Sequence, residues 1–419
     1  MAGCAPAKQE EVTQAADFDQ TVSTQPVTLK LLVNAVRLSD LEFQTIFYEP
    51  VKKKYPHITL EKVTGKLDQL IVSGNVPDLI VSDNDWHMRL QDADLPMDLT
   101  DLVSKSKLDL RKFVPETIQA VRNLDPKGKE LQGIPYSLNA GALFYNKDLF
   151  GKFGVPYPKD DLLWSDVLEL SRKLTRMQDG VQYIGWDPRY PDVYVSPYTQ
   201  PFVDPKTNKA LVDIPLYRKT LELFQKVYEQ PGFVSGKTYA YGPEGFIGEK
   251  RVAMMADWAS KLISDFLQAE KDGVASNWDM VTIPNFEDKA GKGRHTLTDI
   301  LLITKNSPYK EQAMQVIQLV TSREQQMAMS RSSRVTVLND PEVIKAFGTD
   351  NPSLKSKNTA SIFKYKSSPV AQPNRYDKEV QNLIRAMRKE MAINKKDINT
   401  VLRETQEAAD KKIAELMKQ

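Results

Sequence analysis

The chain has 419 residues, 41% of them hydrophobic and 27% charged, with a formal net charge of +2. That length exceeds one small core and predicts two domains, and the balance of apolar and charged residues predicts a folded chain, not a disordered one. Acids and bases are mixed along the chain, which leaves no basic footprint for nucleic acid, and no run of about 18 apolar residues offers a membrane-spanning helix.

In chain order, a lone cysteine comes first. Cys4 excludes an internal disulfide framework and a multi-cysteine zinc site. Residues 5–26 are polar and read as a tether. Residues 27–33 form a strongly apolar strand. Ser39-x-x-Glu42 is a capping box, opening a helix that turns Phe43, Ile46 and Phe47 inward. A second strand covers 58–63, a short helix 67–72 stops at Gly74, and a third strand covers 77–81. This β-α-β-α-β order predicts a parallel sheet with helices on both faces, and ligands in such sheets sit beyond the carboxyl ends of the strands.

The segment 133–154 reads GIPYSLNAGALFYNKDLFGKFG. Ile134, Tyr136, Leu138, Leu143 and Tyr145 roughly alternate as in a buried strand, and the small run 139–142 marks a place to bend or change partners. Asn146 caps a short helix that Gly154 and Pro156 end. Helices follow at 164–175 and 215–229. Residues 248–256 lead into a buried strand ending at Asp257 and Trp258, and further strands cover 278–284 and 297–304 around a loop at 287–294. Ser307-Pro308 starts a helix with Ala313, Val316, Ile317 and Val320 on one face, and Ser322-x-x-Gln325 is a further capping box. The last helix places Ile398, Val401, Leu402, Thr405, Ala409, Ile413 and Leu416 at helical spacing. No internal repeat is present.

Segment 133–154 resembles the lobe-crossing signature of the extracellular solute-binding proteins of ABC importers, the sugar-binding, maltose-binding-like family. SGNVPDLIV, FIGEKRVAMMADW, WDMVTIPNF and SPYKEQAMQVIQLVTSREQQ match other parts of that family in order and spacing. The resemblance runs from about residue 27 to the end. It implies an α/β, two-lobed type II periplasmic-binding-protein fold with a hinge, each lobe a mostly parallel sheet flanked by helices. The chain is then expected to cross near 139, 285 and 334, giving a tether (1–26), an N-lobe (27–138 plus 286–333) and a C-lobe (139–285 plus 334–419). Ala2-Gly3-Cys4 resembles the end of a bacterial lipobox. Met1 stands where that pattern wants an aliphatic residue, so the reading is of a chain with its export signal removed and a start methionine added. Cys4 is the expected lipidation site.

A sugar offers C–H faces to flat rings and hydroxyls to planar polar groups, so a cleft for one combines aromatics with Asp, Asn, Glu and Arg. The loops after the predicted strands supply them. Arg37 follows the first, with Asn34. Asp85 and Trp86 follow the third and match the family's ligand-contacting loop, while Asp83 and Asn84 there suit a plain turn. Tyr136 and Asn139 lie at the crossing, where Tyr136 equally suits a core. Trp258 matches the family's cleft-wall tryptophan. Asp257 stands near a usual glycine and reads as a polar contact or a salt bridge with an arginine. His295 and Asp299 replace a glycine-rich turn and are expected to fill a pocket, though His295 equally suits a surface loop. Trp186 and Tyr190, with Arg189 and Tyr198, read as a subsite platform or as ordinary loop packing. Arg334 and Arg375 are candidate anion contacts in polar loops.

Enzyme signatures are missing: no HExxH spacing among His57, His87 and His295, no Gly-x-Ser-x-Gly elbow, no Walker loop. No metal or cofactor is expected. The resemblance implies a non-catalytic, monomeric binding subunit that catches a carbohydrate, an oligosaccharide by expectation, and delivers it to membrane permease subunits. Such a protein is held outside the cell by its lipid alone, here with a Gram-positive source expected, and has no nucleic-acid partner. Two other readings stay open: the same fold with an acidic sugar or non-sugar solute, and a secreted carbohydrate-active enzyme using two of the 55 acids. A sensory role without transport is compatible with the same residues.

Overall fold

The computed structural model describes residues 18–125, 127–274 and 276–418. Cys4 and most of the expected tether lie outside the described residues. The strands are β1 (Val27–Val33), β2 (Ile58–Val63), β3 (Leu79–Asp83), β4 (Ile134–Asn139), β5 (Gly141–Asn146), β6 (Arg176–Gln178), β7 (Val181–Tyr183), β8 (Met254–Trp258), β9 (Trp278–Thr282) and β10 (Leu297–Ile303). The chain is mixed α/β, as expected, and its strands form two main sheets.

The first sheet has the order β2-β1-β3-β10-β4. β1 runs parallel to β2 and β3, with Val27 opposite Ile58 and Leu31 opposite Leu79, whereas β10 runs antiparallel to β3 and β4. Both faces are covered. Leu29, Leu31, Leu79, Val81 and Tyr136 point into a core closed by Phe47 and by Ile317 of the helix Lys310–Val320, while Leu32, Ile80 and Leu302 point the other way, onto Leu90. Two-sided burial explains why these strands read as nearly continuous apolar runs. The Ser39 capping box forms in full: Ser39 Oγ accepts the Glu42 N–H at 3.2 Å and the Glu42 carboxylate accepts the Ser39 N–H at 2.9 Å.

The second sheet, β8-β5-β9, is antiparallel throughout. That corrects the expectation of a mostly parallel sheet in each half. Its strands are contributed from 141–146, 254–258 and 278–282, far apart in sequence, so no βαβ unit dictates their direction. Trp278 stacks on Phe266 with ring centroids 4.2 Å apart and meets Phe144 at 5.7 Å. The helices Pro215–Tyr228, Asp377–Ala392 and Ile398–Leu416 pack into the same core through Phe224, Ile384 and Leu402.

The single strand expected across 134–145 is two strands, broken at Ala140, one in each sheet. Their burial is nearly continuous instead of alternating. After Arg334 the chain serves both cores in turn: Val335 packs into the second, Val337 and Leu338 into the first, and Phe347 into the second again. Asn146 caps the helix Lys147–Lys152 through its side-chain oxygen, and Ser322 caps Arg323–Arg331.

Candidate functional site

A cavity of about 640 Å³ opens between the two cores. One wall is the loop after β1 (Arg37, Ser39, Glu42), the loop after β3 (Asp83 to Trp86) and Asp299 of β10. The facing wall is Asp192, Ser196, Trp258, Lys261 and the start of the helix Asp377–Ala392. Of the residues picked from the sequence, Arg37, Asp85, Trp86, Asn139, Trp258, His295 and Asp299 line this cavity.

Arg334 organises one side. Its Nη1 donates to Asp299 Oδ2 at 2.7 Å, and its Nη2 donates to the Arg37 carbonyl at 2.8 Å and to Glu42 Oε1 at 3.2 Å. One guanidinium thus ties the hinge segment, β10 and the capping box together. Burial pushes the Asp299 carboxyl up to about 6 even against the pull of Arg334. For Glu42, burial opposes ionisation, but Arg334 and the Ser39 hydrogen bonds outweigh it and hold the carboxyl below its usual range.

Trp258 stands at the end of β8, opposite Gly141 of β5. The Arg294 guanidinium lies 3.6 Å from its ring centroid, and the His295 ring meets it edge-on at 5.3 Å and 88°. Arg294 is buried, with Nε and Nη1 lacking hydrogen-bond partners. Burial lowers its guanidinium to about 10, against the opposing pull of Asp257, Asp192 and Asp85. His295 is fixed by Ser196, whose Oγ accepts the His295 backbone N–H and lies 2.8 Å from Nδ1, and His295 Nε2 faces Asp85 Oδ2 at 3.5 Å. Asn139 Oδ1 accepts the Ser260 N–H at 3.3 Å, joining the end of β4 to the helix Ala259–Lys271. Asn84 makes the turn with both ends of its amide, donating to the Thr296 carbonyl and accepting the Thr298 N–H.

Four expected contacts do not reach the cavity. Trp186 is fully buried in the second core, stacked on Trp164 at 5.4 Å and 13°, so loop packing, not a platform, is its role. Tyr136 is fully buried in the first core, edge-on to Phe47 at 5.6 Å. Tyr190 is enclosed by Arg189, Arg385 and Arg388, with their guanidinium carbons 4.2 to 5.1 Å from its ring centroid. Asp257 is buried and pairs with Arg189 Nη2 at 3.3 Å and Lys261 Nζ at 3.8 Å, the salt-bridge alternative of the sequence reading. Tyr198 donates to Asp288, and Arg375 pairs with Asp92 at 2.8 Å away from the cavity.

Sequence reasoning passed over Asp192, Asp377, Lys378, Gln381 and Arg385. All five line the cavity, and Asp192 accepts from Arg385 at 2.6 Å and from Gln381 at 3.1 Å. A signal was present: Val380, Ile384, Met387 and Met391 recur at helical spacing just after the polar loop 371–376. Among the described residues no group of three or more His, Cys, Asp or Glu is placed to hold a metal ion, and no helix is long and apolar enough to cross a membrane.

Comparison with known proteins places this geometry. The family model described as bacterial extracellular solute-binding protein matches residues 40–327. An ABC substrate-binding protein from Listeria monocytogenes, solved in complex with cycloalternan, superposes with a TM-score of 0.73 at 17% identity, covering 93% of this chain and 100% of that one. The sugar-binding protein MalE from Xanthomonas citri gives 0.71 at 17% identity, covering 93% and 98%. An ABC transporter solute-binding protein from Thermotoga lettingae, bound to α-D-tagatose, gives 0.69 at 17% identity, covering 92% and 99%. At these identities the likeness is one of fold.

Proposed function

We propose a carbohydrate as the guest of this cleft, from the premise that the chain belongs to the bacterial extracellular solute-binding protein family. The observation that carries the reading is Trp258, an indole on the cavity wall with Arg294 against its ring, set among Asp85, Asn139, His295 and Asp299. The ring suits the C–H face of a sugar, and the carboxylates and amide suit its hydroxyls. The ligands named for the Listeria and Thermotoga structures support the same class. A cavity of about 640 Å³ suits a short oligosaccharide.

In this reading the two lobes are 27–138 plus 286–333 and 139–285 plus 334–419, the chain acts as a monomer without catalysis, and it delivers its solute to the permease subunits of an ABC importer. Cys4 carries the lipid that holds it at the outer face of a cell membrane, with residues 5–26 as spacer and a Gram-positive source. Isothermal titration calorimetry and thermal-shift assays across a sugar library test it. The expected outcome is saturable binding that raises Tm by several degrees at saturation. Trp258→Ala should weaken binding about thirtyfold or more, the cost of losing a buried aromatic anchor. Absence of binding across the library, or new reducing ends from polysaccharide, would overturn the reading.

A further inference from the structure

We propose that the cleft recognises an amino group on its solute, a protonated amine seated against Asp83, Asp85 and Asp377 beside Trp86, and that it rejects anionic sugars. The proposal rests on the carbohydrate reading above and narrows it.

The argument is a comparison of which charges in the wall already have partners. Arg37 is paired with Asp265, Arg334 with Asp299 and Glu42, and Arg385 with Asp192. Lys261 lies between Asp257 and Asp265. An incoming carboxylate or phosphate would therefore compete for guanidinium groups that protein carboxylates already occupy. The remaining lysines are Lys271, exposed at the end of its helix, and Lys378.

The acids are in the opposite condition. Among the described residues no cation pairs with Asp83 or Asp377, and Asp85 has only the His295 ring, at 3.5 Å. Asp83 is 8% exposed, and its one recorded side-chain contact accepts the Trp86 N–H at 2.9 Å. Asp377 Oδ1 has no partner, and its other oxygen accepts the Asn374 N–H at 2.7 Å. Burial first, and then Asp85, push Asp83 well above the usual carboxylate range. Burial, with Asp85 adding to it against the Asn374 hydrogen bond, pushes Asp377 up to about 7. Enclosed carboxylates without cations are costly, and a guest that supplies one relieves that cost as it binds.

A second observation shows which chemistry the place accepts. Lys378 lays its ammonium over the Trp86 ring, 4.8 Å from the centroid, on the cavity side where Asp85 and Asp377 also stand. A cation over an indole face is the arrangement a bound amine would adopt. The chain already holds one of its own there, from the facing lobe.

The test is calorimetry on the purified chain with three matched sets of probes: glucosamine and chitobiose, glucose with maltose and cellobiose, and glucuronate with galacturonate. The amino sugars should bind about tenfold or more tighter than their neutral counterparts, the margin expected of a hydrogen bond to a charged group, and the uronates weakest. Asp377→Asn and Asp83→Asn, which keep the shape and the accepted N–H, should each erase most of that margin while neutral sugars bind within about twofold of the parent. Neutral sugars equal to or tighter than amino sugars, uronates tightest, or a margin intact in both variants would overturn this proposal and leave the carbohydrate reading standing. If no probe of any class binds, that reading falls too.

Discussion

Arg334 shows how a single side chain sets the electrostatics of one cavity wall. It is 9% exposed and serves Asp299, which is 14% exposed, together with Glu42 and a backbone carbonyl. Removing it in Arg334→Ala strands two enclosed carboxylates, which should cost about 3 to 5 kcal/mol, read as a lower urea midpoint. A drop below about 1 kcal/mol would show that water, not Arg334, carries those charges. Asp377 gives the matching pH dependence. Its folded value, about 7, lies above the ordinary value of 3.8, so the folded state holds the proton where the unfolded chain has lost it. Stability from this group is present below about pH 4 and is lost as the pH rises through about 7. Asp85 from the β3 loop and Lys378 and Arg385 from its own helix are charged groups on the same stretch of cavity wall. Urea unfolding of Asp377→Asn against the parent at pH 5 and pH 8 should show the parent losing up to roughly 4 kcal/mol that the variant keeps.

Among the elements, the β4–β5 crossing is the joint on which the site turns. β4 ends on Asn139, β5 begins on Gly141, and each lies in a different sheet. A methyl group at Gly141 would meet Arg294 Cδ at 2.6 Å and Cγ at 3.0 Å. Gly141→Ala should therefore push Arg294 off the Trp258 ring, weakening sugar binding by about 1 to 2 kcal/mol while the two cores stay folded. Unchanged affinity would detach Arg294 from the site. This crossing was readable in the sequence because its cues are local: a small run at 139–142, an Asn cap, a Gly stop. The Ser39 and Ser322 caps and the apolar strands of the first sheet were readable for the same reason. The antiparallel second sheet was not, since its three strands meet only through tertiary contacts. Trp186 and Tyr136 were open to misreading because an aromatic in a loop or strand looks alike whether it faces a core or a cleft. The acids and bases on the helix Asp377–Ala392 escaped notice because their meaning comes from the lobe opposite.

At the scale of the whole molecule, the question is what holds the two halves together without a guest. Arg37 reaches Asp265 and Arg375 reaches Asp92 at 2.8 Å, each joining a residue on the first sheet's side to one on the second's. Both arginines are exposed, 65% and 57%, so each pair contributes only about 0 to 1 kcal/mol. A micromolar guest supplies about 8 kcal/mol, far more than the two pairs together. The pairs therefore set the resting balance between open and closed forms, and the ligand sets the outcome. Affinity depends on the fraction already closed, so removing about 1 to 2 kcal/mol of closure can raise Kd by no more than about tenfold to thirtyfold. Small-angle X-ray scattering of the Arg37→Ala/Arg375→Ala double variant should show a larger radius of gyration than the parent without sugar, returning to the parent's value at saturation, with Kd raised within that bound. If the ligand-free radius is unchanged, the clasp lies instead in the buried contacts around Trp86, Lys378 and His295, and closure is governed by the cavity wall itself.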